Sequence, residues 1–234
     1  MKRMYSLTGI FAITATAGLA QDQTYDFANF NTIEADAGVE VNVTLGPDYS
    51  VTAIAKSGDI ADLDITLEGK TLAVTREASS RGWSLFSFGS DTDEFIVTVT
   101  MPDVIGLETA SGAAVNLTGT TGSLETLDAS SGSFIAVADA ALDMMRIDVT
   151  SGAHVVVSGT CEELAIDTSS GAMVNAGDLR CDAIDVSASS GASVTAFATQ
   201  SAKADASSGA SIHLSGDANV IESETSSGAS IIQN

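Results

Sequence analysis

The sequence predicts an all-β fold: a parallel β-helix with coils of about 19–20 residues, whose N-terminal strands either continue into the helix or cap it. Three observations carry this prediction. The pair Ser-Gly recurs at Ser111, Ser131, Ser151, Ser170, Ser190, Ser208 and Ser227, at intervals of 20, 20, 19, 20, 18 and 19 residues. Apolar columns hold a fixed register to that pair through successive copies. The two cysteines, Cys161 and Cys181, each lie nine residues before a repeated serine.

The first twenty residues read as a signal peptide. Lys2 and Arg3 form a positive n-region, Leu7 to Ala17 is mildly apolar, and Gly18-Leu19-Ala20 offers small residues for cleavage after Ala20. The apolar run is shorter than the roughly 20 residues a membrane span needs. No second candidate span follows, and no cysteine stands after the cut to carry a lipid anchor. The expected location is periplasmic or secreted.

Residues 21–234 read as one domain, with strands in 27–101 and Ser-Gly coils in 105–234. Val39, Val41, Val43 and Leu45 alternate with polar residues until Gly46-Pro47-Asp48 breaks the run. Val51 to Ala55 follows. Leu63, Ile65 and Leu67 then turn through Glu68-Gly69-Lys70 into Leu72 and Val74. Phe95, Val97 and Val99 form a further strand closed by Met101-Pro102. The loop 78–93 holds Trp83, Phe86 and Phe88 among Ser, Gly and Asp. Such a loop either folds its aromatics over the open end of the fold or presents a ligand-contacting tip.

From Ile105 onward each unit reads Ser-Gly-small-x-Val/Ile. The residue three after the glycine is Val115, Ile135, Val155, Val174, Val194, Ile212 and Ile231. Two further on stand Leu117, Val137, Val157, Ala176, Ala196 and Leu214; four before the serine stand Leu107, Leu127, Ile147, Ile166, Val186 and Ala204. Their neighbours are mostly polar or small, so these are inward strand positions. One coil cannot bury its apolar face alone, whereas stacked copies make a continuous core. Glycine suits a corner that needs positive φ or a close approach to its neighbour. The cysteines share one register in adjacent coils, and strand spacing falls within the roughly 4.4–6.8 Å Cα separation of a disulfide, so a Cys161–Cys181 bond is expected.

Acids outnumber bases 31 to 9, for a net charge of −22. Such a surface excludes nucleic acid and anionic lipid headgroups as partners. Three residues before the repeated serines stand Glu108, Asp128, Asp148, Asp167, Ser187, Asp205 and Glu224, which stacking would place in one outward ladder. Like charges at strand spacing repel by on the order of 3 kcal/mol per contact at an effective dielectric of 20. The ladder therefore needs compensation: hydrogen bonds to the corner, partial protonation, or bound cations such as Ca²⁺. The glycine- and aspartate-rich calcium nonapeptide of β-rolls is missing, so no metal centre or cofactor is expected.

Catalytic signatures are equally sparse. No nucleophile elbow, zinc-protease pair or phosphate loop occurs, and His154 and His213 fall in different coils. A polysaccharide lyase would need a basic cluster, and the bases are scattered.

Phe27-x-x-Phe30-x-x-Ile33, Val39-x-Val41-x-Val43, the strand Phe95–Val99 before Met101-Pro102, and the Ser-Gly-Ala/Ser-x-Val/Ile units together resemble the GIN head domain, DUF2807, of auto-transporter adhesins. The likeness runs over about 27–232. It implies a right-handed parallel β-helix and an adhesion role, and brings no catalytic residues. No alternating barrel strands follow the Ser-Gly units in this sequence, so a head domain alone is expected. The expected function is a non-catalytic exported binding or structural module that contacts an envelope protein or a glycan. The alternatives are a lyase-like carbohydrate-active enzyme and an envelope protein that self-assembles through an open coil end.

Overall fold

The computed structural model describes residues 21–76 and 93–234; the expected signal peptide, 1–20, and Trp83, Phe86 and Phe88 lie outside the described residues. The N-terminal strands are β1 (Gln21–Tyr25), β2 (Thr32–Ala35), β3 (Glu40–Leu45), β4 (Ser50–Ala55), β5 (Leu63–Glu68), β6 (Thr71–Arg76) and β7 (Phe95–Met101). The coils follow as β8 (Gly106–Thr109), β9 (Ala114–Gly122), β10 (Thr126–Ala129), β11 (Phe134–Val149), β12 (His154–Thr168), β13 (Met173–Ala188), β14 (Ser193–Ala206), β15 (Ser211–Ser215), β16 (Asn219–Thr225) and β17 (Ser230–Gln233).

These strands build a β-solenoid of about six turns with two long walls. One wall runs β1–β4–β7–β3–β9–β11–β12–β13–β14–β15–β17, and the other β5–β6–β2–β8–β10–β11–β12–β13–β14–β16. Strands β11 to β14 are long enough to serve both walls, bending from one into the other. Every coil-to-coil pairing is parallel. The N-terminal segment both continues and caps this stack. Strands β2 and β3 form a regular coil against β8 and β9, and β6 and β7 lie parallel beyond them. Antiparallel β5 on β6, and β4 and β1 beside β7, curl over that end.

The expected columns are the observed register. Val115, Ile135, Val155, Val174, Val194 and Ile212 are direct cross-strand partners in turn, and all are buried. Leu107, Leu127, Ile147, Ile166, Val186 and Ala204 stack likewise. A further inward column runs Met145, Leu164, Ile184 and Ala202. Both columns shrink from Leu or Met to Ala toward the C-terminal end. The shortest coil lies there, and register shifts between β13 and β14 absorb its missing residues.

Each of the seven periodic Ser-Gly pairs, Ser111-Gly112 to Ser227-Gly228, forms the two central residues of a four-residue turn. The serines have φ of 47–57° and the glycines 70–77°, so both are left-handed. A Cβ on Gly112, Gly132, Gly152, Gly171, Gly191, Gly209 or Gly228 would meet nothing within 4 Å. Glycine is therefore there for its backbone angle, not for a close approach. Within each turn the residue after the glycine donates its N–H to the residue before the serine, as in Ala172 to Ser169 at 3.2 Å. Between turns, Gly112, Gly132, Gly152, Gly171 and Gly191 each donate to the carbonyl of the next coil's serine at 3.1–3.2 Å. The corner thus carries its own hydrogen-bonded ladder.

Ala37-Gly38 is an eighth copy of this corner, with φ of 56° and 76° and a Val39-to-Asp36 bond of 3.4 Å. The sequence pattern hides it because alanine replaces serine.

Candidate functional site: an acidic groove along one wall

The acidic column forms one continuous row. Glu108, Asp128, Asp148, Asp167, Ser187, Asp205 and Glu224 are consecutive cross-strand partners. Glu34 on β2 pairs with Glu108 and extends the row by one rung. Strand alternation turns all of them outward while Leu107, Leu127 and their equivalents fill the core. One residue before every corner serine except Ser111, which follows Ala110, stands a second row, Ser130, Thr150, Ser169, Ser189, Ser207 and Ser226. Between acids and hydroxyls lies a shallow groove in two segments. The larger, about 450 Å³, runs from Asp148 to Glu224, and the smaller, about 260 Å³, from Glu34 to Asp148. Asp148 and Thr150 line both.

The two segments balance their charge differently. In the larger one, Arg146 donates from Nε to Asp148 and from Nη2 to Asp167, both at 2.8 Å, and so clamps two rungs. Lys203 lies 3.5 Å from Asp205 and 3.8 Å from Asp185. Ser187 interrupts the carboxylates between these two clamps. Asp205 Oδ1 is enclosed without a hydrogen bond. In the smaller segment no ion pair reaches Glu34 or Glu108 among the described residues. The Glu108 carboxyl is pushed above its ordinary range by desolvation, then by Glu34 and Asp128. Asp128 is raised by desolvation and by Asp148, against the opposing pull of Arg146. Repulsion is thus met by basic side chains in one half and by easier protonation in the other. The partners seen for Asp148, Asp167 and Asp205 are Arg146 and Lys203, not the corner serines.

The arrangement accepts hydrogen bonds through its carboxylates, and both donates and accepts through its hydroxyls. No group of three or more His, Cys, Asp or Glu among the described residues is arranged to hold a metal ion. His154 and His213 lie on the opposite wall. Cys161 and Cys181 are direct partners across β12 and β13, buried, disulfide-bonded, with Cα atoms 4.4 Å apart. No helix among the described residues is long and apolar enough to cross a membrane.

Solved structures share this architecture. A "putative adhesin" from Bacteroides fragilis superposes with a TM-score of 0.79 at 18% identity, over 93% of this chain and 98% of its own. A "putative lipid binding protein" from Parabacteroides distasonis gives 0.67 at 14% identity, over 92% and 98%. A "putative adhesin" from Parabacteroides merdae gives 0.67 at 13%, over 93% and 97%. At such identities the likeness is one of fold. No curated protein matches the chain. Residues 29–218 match the profile of the family described as "putative auto-transporter adhesin, head GIN domain", and the chain belongs to that family, DUF2807.

Proposed function

We propose that the protein is an extracytoplasmic, non-catalytic binding module of the adhesin-head type, which meets a neutral or cationic envelope glycan or protein along its acidic groove. The observation that carries this reading is the groove itself: a row of carboxylates beside a row of hydroxyls, repeated at the roughly 4.8 Å strand spacing through successive coils. A periodic surface suits a periodic partner, because each added coil repeats the same contact and weak contacts accumulate. Sugar hydroxyls find acceptors in the acids and both roles in the serines and threonines. The disulfide and the family agree with a location outside the cytoplasm.

The test is binding of the purified protein to envelope fractions and a panel of neutral, cationic and anionic glycans, with Asp128→Asn/Asp148→Asn as the comparison. Binding to a neutral or cationic member, weakened in the variant, supports the reading. Equal binding by the variant removes the groove from it. Release of oligosaccharide products would instead make the protein an enzyme.

A further inference from the structure

The wall opposite the groove has the reverse chemistry. Two outward columns cross it, one from Ala114 to Ser230 and one from Asn116 to Ile232, over β9, β11, β12, β13, β14, β15 and β17. Over these seven strands neither column contains an Asp, Glu, Lys or Arg, in a chain with 31 acids; Glu40 on β3, beside Ala114, and Asp178, beside Ser158, stand at the edges of the face. Across the middle coils these columns turn apolar. Phe134 packs edge-on to His154 with ring centroids 5.6 Å apart, and His154 is the direct neighbour of Met173. Ala136 and Val156 stand beside them in the second column. Of the large hydrophobic side chains most exposed among the described residues, Met173 at 48% and Ile232 at 47% both lie on this wall.

We infer that this uncharged wall is the interface of a side-by-side homodimer, the partner being a second copy of the same chain. Two arguments favour a second copy. The first is charge. Each chain carries −22, and contact through the acidic wall would set carboxylate rows face to face. Contact through the uncharged wall keeps the rows on opposite outer sides, more than a Debye length of about 8 Å apart. The second is area. Seven strands at about 4.8 Å and some five residues at about 3.3 Å give a flat face of about 500 Å². Paired, two such faces bury about 1,000 Å², the lower bound of a specific interface. A two-fold axis near Met173 lays the apolar patch of one copy on that of the other, an isologous sheet-on-sheet contact. This surface differs from the coil end, where strand edges would pair instead.

The test is sedimentation equilibrium of the purified protein over a wide concentration range at physiological salt, beside Met173→Asp and Met144→Asp. Met144 is 60% exposed and lies on the other wall, next to Glu163. The expected result is a monomer–dimer equilibrium whose dissociation constant rises at least about a hundredfold in Met173→Asp, since an isologous interface receives each new charge twice. Met144→Asp should leave it unchanged. Both positions are exposed, and thermal melts establish that both variants are folded. A monomer at all concentrations overturns the inference, as does a dimer indifferent to Met173→Asp. A monomer that loses glycan binding on Met173→Asp would also overturn it, assigning the wall to an external ligand.

Discussion

The N–H of Gly171 donates to the carbonyl of Ser190 at 3.1 Å, tying one left-handed corner to the next. Gly171 sits at φ of 70°, and a Cβ there would touch nothing within 4 Å. Gly171→Ala therefore isolates the backbone preference from any packing change. It should destabilise the fold by about 1–2 kcal/mol. Urea unfolding measures this, and an unchanged midpoint would show that the corner does not depend on glycine.

The neutral-pH charge on Glu108 should work against the fold. Its carboxyl is raised by desolvation and by Glu34 and Asp128, so the folded chain holds that proton more tightly than the unfolded chain. Between the two pKa values the folded state binds more protons, and stability falls as pH rises. The contribution is fully present below about pH 4 and is lost as pH climbs through the raised value. Glu108→Gln should flatten this slope and raise the melting temperature at pH 7. A variant with the wild-type pH profile would show that the crowding on β8 has no energetic effect.

The repeat and its core were legible because they depend on local rules. Alternation fixes which side chains face inward, and only a small set of residues tolerates a left-handed corner. What escaped depends on register across long separations. Ala37-Gly38 and Glu34 join the stack only because β2 and β3 pair with β8 and β9. The intervening segment, which holds β4 to β7, breaks the period that would have exposed them. The Arg146 clamp was hidden for the same reason: Asp148 is two residues away, but Asp167 becomes a neighbour only once β12 stacks on β11. The acidic row was visible as a column, whereas its two modes of compensation were not.

Arg146 should matter most at low salt. It joins Asp148 and Asp167 on an exposed surface, where screening weakens both the ion pairs and the repulsion they offset. Arg146→Gln removes the clamp and leaves adjacent carboxylates facing each other. Its melting temperature should fall below wild type at low ionic strength, and the gap should close as salt is added. A gap independent of salt would mean that the arginine acts through packing rather than charge.

The disulfide should stabilise without shaping the coil. Cys161 and Cys181 are 20 residues apart, yet the register on either side is fixed independently by pairs such as Leu164 with Ile184. Closing a loop of that length restricts the unfolded chain by about 3 kcal/mol in the chain-entropy model. Cys161→Ala/Cys181→Ala should lose about that much in guanidinium unfolding while keeping a wild-type far-ultraviolet circular dichroism spectrum. Wild type unfolded under reducing conditions should track the variant closely. If the spectrum collapsed instead, the bond would be setting the register of β12 against β13 rather than securing a register that packing has already chosen.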